Sequence, residues 1–188
     1  MTLDLKDVST YWLKWNNRYF INAEKFNITH EELAKVWVVN DRAYLNSVVC
    51  EQLVKINKEL ENYNLEIIVK DAYRSEELYE LIIKKRKQKE GEDFVSKIFN
   101  TKLDFPHASG NTLDVAFINK DDWKQIKCFK DIENIEERRR SRSVLYCENS
   151  NDPEEIEIHK NRIFMRDVMN RYWFIWIDHE YRHFNYVW

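Results

Sequence analysis

Glycine and proline are almost absent from this chain of 188 residues: Gly91, Gly110, Pro106 and Pro153 are the only ones. That excludes flexible Gly/Ser linkers and Pro-rich low-complexity segments. Cysteine is scarce as well. Cys50, Cys128 and Cys147 are odd in number and show no Cys-x-x-Cys spacing, so they do not describe a disulfide framework, and reduced thiols are expected. A basic excess is missing too. Lys and Arg total 30 against 33 Asp and Glu, giving a net charge of −3, where a nucleic-acid binder usually carries a positive balance. The local exception, Arg138, Arg139, Arg140 and Arg142, follows Glu133, Glu136 and Glu137 and reads as a mixed-charge solvated segment. No apolar run approaches the length of a membrane span. The opening residues Met1 to Asp7 lack a basic region followed by an apolar one, so no leader is expected and a cytoplasmic location is.

What the chain does have is apolar and aromatic material. Hydrophobic residues make up 44% and aromatics 14%, enough for a core and against a disordered tail. The length suits one domain over residues 1–188. Residues 41–62 read as a helix, with Ala43, Leu45, Val48, Val49, Leu53, Ile56 and Leu60 at helical spacing. Leu65 to Val69 read as a strand. Ser75 is placed to cap a second helix that Gly91 ends. Residues 112–118 read as a strand in which Leu113, Val115 and Phe117 alternate with Thr112, Asp114 and Ala116. Residues 128–153 are polar and irregular and are expected to form a surface excursion. Pro153 opens a further helix, and Trp173 to Trp188 read as two short strands or a hairpin. The mixture predicts an α+β domain with helices packed on one face of a small, mainly antiparallel sheet.

Three short segments carry chemistry. In Pro106-His107-Ala108-Ser109-Gly110-Asn111-Thr112-Leu113-Asp114, a loop entering a strand places His107 on the loop and Asp114 on the strand. Both can then converge on one metal ion, and Gly110 permits a positive φ or a close backbone approach. Taken alone, this spacing more often marks a surface histidine and an unrelated strand aspartate. Near the C-terminus, Glu180 and His183 stand three apart. A catalytic zinc site commonly has three protein ligands and an open position, which His107, Asp114 and His183 would supply, leaving Glu180 as a base for water. In Asp71-Ala72-Tyr73-Arg74, directly after a predicted strand, Arg74 is placed either to stabilise an oxyanion or to form a structural ion pair.

In this order, Asp-x-Tyr-Arg, His-x6-Asp and Glu-x-x-His, the chain resembles the D-alanyl-D-alanine dipeptidases of the M15 zinc peptidase group, the vancomycin-resistance dipeptidase type. The stretch Asn161 to Met169 is similar to that family's helix before the last motif, and the resemblance runs from about residue 20 to 186. It implies zinc ligands at His107, Asp114 and His183, a catalytic glutamate at Glu180, a transition-state arginine at Arg74 and an α+β fold with a central antiparallel sheet. The chain departs from the family at Tyr181 and Arg182, where tryptophans are usual, and at Phe105-Pro106-His107, where Ser-x-His is common. Ser109 and Asn111 are candidates to line the substrate cleft.

A rival pattern overlaps the last motif. His179-Glu180-Tyr181-Arg182-His183 also fits His-Glu-x-x-His, which holds zinc through two histidines on one helix face. The flanking aromatic and β-branched residues favour strand over helix, and that pattern leaves His107, Asp114 and Arg74 unexplained. The resemblance therefore implies hydrolysis of D-Ala-D-Ala by zinc-activated water, with a small peptide as substrate and no nucleic-acid or membrane partner. The alternatives are a D,D- or L,D-carboxypeptidase on peptidoglycan stem peptides, or a non-catalytic module that keeps the metal. His179 is expected to pack or to support a ligand, while Arg182 faces either inward or to solvent.

Overall fold

The computed structural model describes residues 3–92, 95, 106–132, 137, 141–143, 146–178 and 180–187. Phe105, Arg138, Arg139, Arg140 and His179 lie outside these residues. The described strands are β1 (Leu5–Asp7), β2 (Lys14–Trp15), β3 (Tyr44–Asn46), β4 (Leu65–Asp71), β5 (Thr112–Asn119), β6 (Phe174–Ile177) and β7 (Glu180–Tyr186). The helices are α1 (Arg18–Ile21), α2 (His30–Lys35), α3 (Ser47–Leu60), α4 (Glu76–Glu90) and α5 (Pro153–Asn170). Five strands form one sheet in the order β2-β4-β5-β7-β6, and β1 pairs with β3 in a second, two-stranded sheet. The pairs β1–β3 and β6–β7 are antiparallel, and the mixed composition is the α+β class expected. No helix among the described residues is long and apolar enough to cross a membrane. None of the three cysteines forms a disulfide.

The chain divides into two compact units, Met1–Cys50 with Val69–Leu113, and Glu51–Ile68 with Asp114–Trp188. In the first, Tyr19, Ala23, Ile28, Leu33, Leu78 and Ile82 form a buried cluster flanked by Phe20, Phe26 and Val36. The short helices feeding this cluster are held by local capping. Thr29 and Glu32 form a capping box on α2, which satisfies two otherwise orphaned N–H groups. Ser75 accepts from the N–H of Leu78 at the start of α4, with Glu76 and Glu77 at the favourable end of its dipole. Gly91 closes α4 at a φ of +88°. In the second unit, α3 and α5 bury Leu53, Ile56, Leu60, Ile158, Met165 and Val168. Asp152 caps α5 by accepting from Glu154, and Pro153 occupies the first turn, where its missing N–H costs nothing.

Three sequence expectations change. The helix expected over 41–62 begins only at Ser47, because Tyr44–Asn46 pair with Leu5–Asp7 as β3. Leu45 is fully buried from that strand and happens to fit the helical spacing as well. The alternation expected along β5 is absent: Thr112 to Ile118 are all buried, polar members included, as befits a strand with a neighbour on each side and cover on both faces. Between Trp176 and Ile177, β6 shifts register: Trp176 faces Phe184, yet Ile177 faces Glu180. Tyr181, Arg182 and His183 thus stand across from a single step of β6, an irregularity of the kind that re-aims side chains.

Candidate metal centre

His107 sits in a one-turn 3-10 helix, Pro106–Ser109, directly before β5, and is fully buried. Its turn is built by residues whose sequence gave no hint of that role. Asn46 donates from its side-chain amide to the carbonyl of Ser109 at 3.0 Å and to the side-chain oxygen of Asn111 at 2.7 Å. The backbone N–H of Asn46 donates to the carbonyl of Gly110 at 3.0 Å. The hydroxyl of Ser109 donates to the carbonyl of Pro106 and accepts from the N–H of Asn111. Ser109 and Asn111 therefore brace the turn. Gly110 meets both of its expected requirements, with a φ of +70° and room for a Cβ only 2.9 Å from Leu5 and 3.1 Å from Asn46.

The imidazole is oriented as tightly as the turn. Nδ1 of His107 lies 2.8 Å from the carbonyl oxygen of Ala72. A carbonyl can only accept, so Nδ1 carries the proton and the neutral ring keeps its lone pair on Nε2. That is the orientation in which a histidine ligates a metal through one nitrogen while the other donates to a backbone carbonyl. The backbone is fixed too: the N–H of His107 donates to the Tyr79 hydroxyl at 3.3 Å, and its carbonyl accepts from the N–H of Arg74 at 3.3 Å. Burial pushes the Tyr79 phenol far above its ordinary value, so it stays protonated.

Asp114 on β5 and His183 on β7 occupy neighbouring strands and are both buried. An Oδ of Asp114 lies 3.3 Å from Nδ1 of His183. The ligand atoms of His107, Asp114 and His183 all lie within 4.8 Å of one another. The donor set fits zinc, since two imidazoles and a carboxylate leave a fourth position open. A buried carboxylate beside two imidazoles is also an anionic pocket that a divalent cation neutralises. Imidazole and carboxylate ligands of this kind suit zinc and other divalent transition ions.

The two remaining candidates are placed differently. Arg74 is buried beside Asp71, with Nε 3.5 Å from Oδ2. Its Nη1 lies 3.4 Å from the Tyr19 hydroxyl, and its guanidinium stands 4.2 Å from the Tyr79 ring centre. It lines a cavity of about 290 Å³ together with Tyr19, Trp37, Arg42, Asp71 and Tyr73. The ion-pair alternative for Arg74 is thus realised, in a setting that also faces open volume. Glu180 is half-buried at the start of β7. In a regular strand, residues three apart face opposite ways; burial alternates from Glu180 to His183, and the irregularity opposite Trp176 and Ile177 falls across these same residues. The helical His-Glu-x-x-His geometry does not occur, because Glu180–Tyr186 is a strand. Arg182 is coupled electrostatically to Tyr181, Asp114 and Glu180, which together hold its guanidinium charged against the cost of burial.

No protein-family model matches the sequence, and no curated protein matches it. Solved structures do. The chain is similar to the LdcB LD-carboxypeptidase, whose structure concerns peptidoglycan recognition, at 14% identity and a TM-score of 0.50, over 77% of this chain and 59% of that one. It also matches the vancomycin-resistance D,D-dipeptidase VanXYg, solved with a D-Ala-D-Ala phosphinate analogue, at 20% identity and a TM-score of 0.47, over 78% of this chain and 52% of that one. The match thus spans between half and three fifths of these neighbours' lengths, and at such identities the likeness to the carboxypeptidase is one of fold.

Proposed function

We propose that this protein is a zinc peptidase that hydrolyses a D-amino-acid dipeptide, D-Ala-D-Ala first among them. The observation that carries the reading is the convergence of buried His107, Asp114 and His183, drawn from segments 69 residues apart between Asp114 and His183. Fold likeness alone would not support it, because one fold hosts many chemistries. His107, Asp114 and His183 would hold zinc, which when bound would supply Lewis acidity, lowering the pKa of water to about 7 and polarising a carbonyl. Glu180 accepts the proton of the attacking water and returns it to the leaving amine. Arg74 donates to the oxyanion that develops at the scissile carbonyl. Asp71 and the rings of Tyr19 and Tyr79 hold that guanidinium in place, and Ala72 and Tyr79 hold His107. A cytoplasmic location belongs to the same proposal, since an enzyme there meets a free dipeptide more readily than polymeric cell wall.

Fold likeness to an LD-carboxypeptidase favours a second reading, cleavage of a terminal residue from peptidoglycan stem peptides. One assay separates the two. Zinc-loaded protein is incubated with D-Ala-D-Ala, and with tetra- and pentapeptide stems, and released D-alanine is measured. Release from the dipeptide alone supports the dipeptidase, and release from stems alone supports the carboxypeptidase. Zinc bound without release from any of them leaves a non-catalytic metal module.

A further inference from the structure

Arg162 lies on the buried face of α5 and is 1% exposed, an arginine at a position where helical spacing calls for an apolar residue. A buried cation persists only where hydrogen bonds replace water. Here all of the bonds described go to backbone carbonyls. Nε donates to Cys128 at 2.8 Å, Nη1 to Ser143 at 2.6 Å and Nη2 to Ser141 at 2.6 Å. Burial draws its pKa below the ordinary arginine value, yet that value starts so high that the group stays charged.

The carbonyls it grips flank one residue with a job of its own. Ser141 and Ser143 bracket Arg142, whose carbonyl accepts the N–H of Tyr181 at 2.9 Å. Tyr181 stands in the part of β7 that has slipped from β6, so the tripeptide 141–143 takes up the backbone N–H of that step. The guanidinium also lies 4.3 Å from the centre of the Tyr181 ring, which is itself buried. One side chain therefore fixes Tyr181 twice, through the backbone strap it clamps and through the ring it covers.

We propose that Arg162 is a positioning residue that sets the Glu180–His183 segment, holding His183 in the metal centre and Glu180 beside it. This rests on the metallopeptidase reading. A planar fork with five donors can grip three carbonyls and stack on a ring at once, whereas a lysine offers a point charge. The neighbouring Arg166 shows the contrast: it pairs with Asp167 and stacks on Trp176.

The test is cobalt substitution in the full chain, read by the visible absorption of the bound ion, beside D-Ala-D-Ala kinetics. Arg162→Lys and Tyr181→Leu are compared with the parent, and folding is checked by circular dichroism. Both variants are expected to shift the cobalt bands and to weaken cobalt binding by about 10- to 100-fold, the usual size for groups that orient metal ligands. The kcat is expected to fall with KM near the parent's value. A purely structural arginine would lower the melting temperature and leave the spectrum, affinity and kcat of the folded protein unchanged, and that result would overturn the proposal. If Arg162→Lys does not fold, Tyr181→Leu, which removes the covered ring and the hydroxyl that accepts from Arg182 but leaves the backbone strap, decides. A parent that takes up no cobalt overturns the metal reading and this role with it. A parent that binds cobalt beside unaltered folded variants overturns the positioning role alone.

Discussion

Nδ1 of His107 and the carbonyl oxygen of Ala72 are 2.8 Å apart, and this contact decides which nitrogen of the ring is available to a metal. Losing the ring removes both the proposed ligand and the contact that aims it. Equilibrium dialysis followed by metal analysis is expected to give about one zinc per chain for the parent and little for His107→Gln, since three protein ligands are the minimum seen at catalytic zinc sites. Full zinc content in His107→Gln would mean that the ion binds elsewhere.

Because the three proposed ligands come from separate segments, an ion bound there would tie the folded state together and have little hold on the unfolded chain. Free zinc at a hundredfold excess over its dissociation constant adds about 2.7 kcal/mol. For a chain of this size that corresponds to a melting temperature roughly 5–10 °C above that of the chelator-treated protein. Differential scanning calorimetry with and without EDTA measures it, and coincident transitions would argue against metal binding by the native fold.

Gly110 sits at a φ of +70° with Leu5 and Asn46 closing over it. Alanine there must hold a left-handed backbone and push Asn46 away, and Asn46 braces the turn that carries His107. Gly110→Ala is expected to cost about 1–3 kcal/mol, read as a lower urea midpoint at unchanged slope. Zinc affinity should fall alongside. Gly91, also at positive φ, has no atom near its Cβ position, so Gly91→Ala tests backbone strain without the crowding.

The contrast between those glycines shows where sequence reading works and where it stops. Gly110 indicated its conformation, while His107, Asp114 and His183 as ligands, with Glu180 as base, became legible only when the three short segments were read together and in order. Ser75, Gly91 and Pro153 marked helix ends through chemistry local to a few residues. Asn46 gave no such signal: its partner Asn111 is 65 residues away, and an asparagine in a strand is unremarkable. The carbonyl of Ala72 has no side-chain identity at all. Arg162 was visible only as part of a helix resembling a family segment, because its partners are three backbone oxygens. Leu45 misled the helix boundary, since a buried residue in a short strand can match a 3.6-residue period by chance. What was legible was local chemistry, and what was not was long-range bracing by backbone groups.

One ion pair ties stability to pH on the acid side. Glu59 on α3 is paired with Arg171, which follows α5, and hydrogen bonding to that arginine holds its carboxyl below the ordinary 4.5. A depressed carboxyl binds fewer protons in the folded chain than in the unfolded one. Its contribution is therefore complete above the unfolded value and is lost as pH falls through the folded one. Urea unfolding is expected to show stability declining below about pH 4.5, with a shallower decline in Glu59→Gln. Equal slopes in parent and variant would mean that the pair is broken in solution.

The kinetic roles proposed for Glu180 and Arg74 differ in a way that two conservative variants expose. Glu180→Gln keeps the shape and removes the base, so kcat on D-Ala-D-Ala is expected to fall about 10²- to 10⁴-fold, the span attributed to general acid–base catalysis. Arg74→Lys keeps a positive charge but loses the planar group held between Asp71 and the rings of Tyr19 and Tyr79. There kcat is expected to fall about 10²- to 10³-fold, as for loss of one oxyanion donor, with a lysine too compact to reach the same point. Zinc content should stay near the parent's in both, because neither side chain belongs to the proposed ligand set. A large fall in zinc content in Glu180→Gln would instead make Glu180 a fourth ligand, closing the position that catalysis needs open. A rise in KM with kcat unchanged in Arg74→Lys would assign that arginine to substrate binding, with the carboxylate of the dipeptide as its partner.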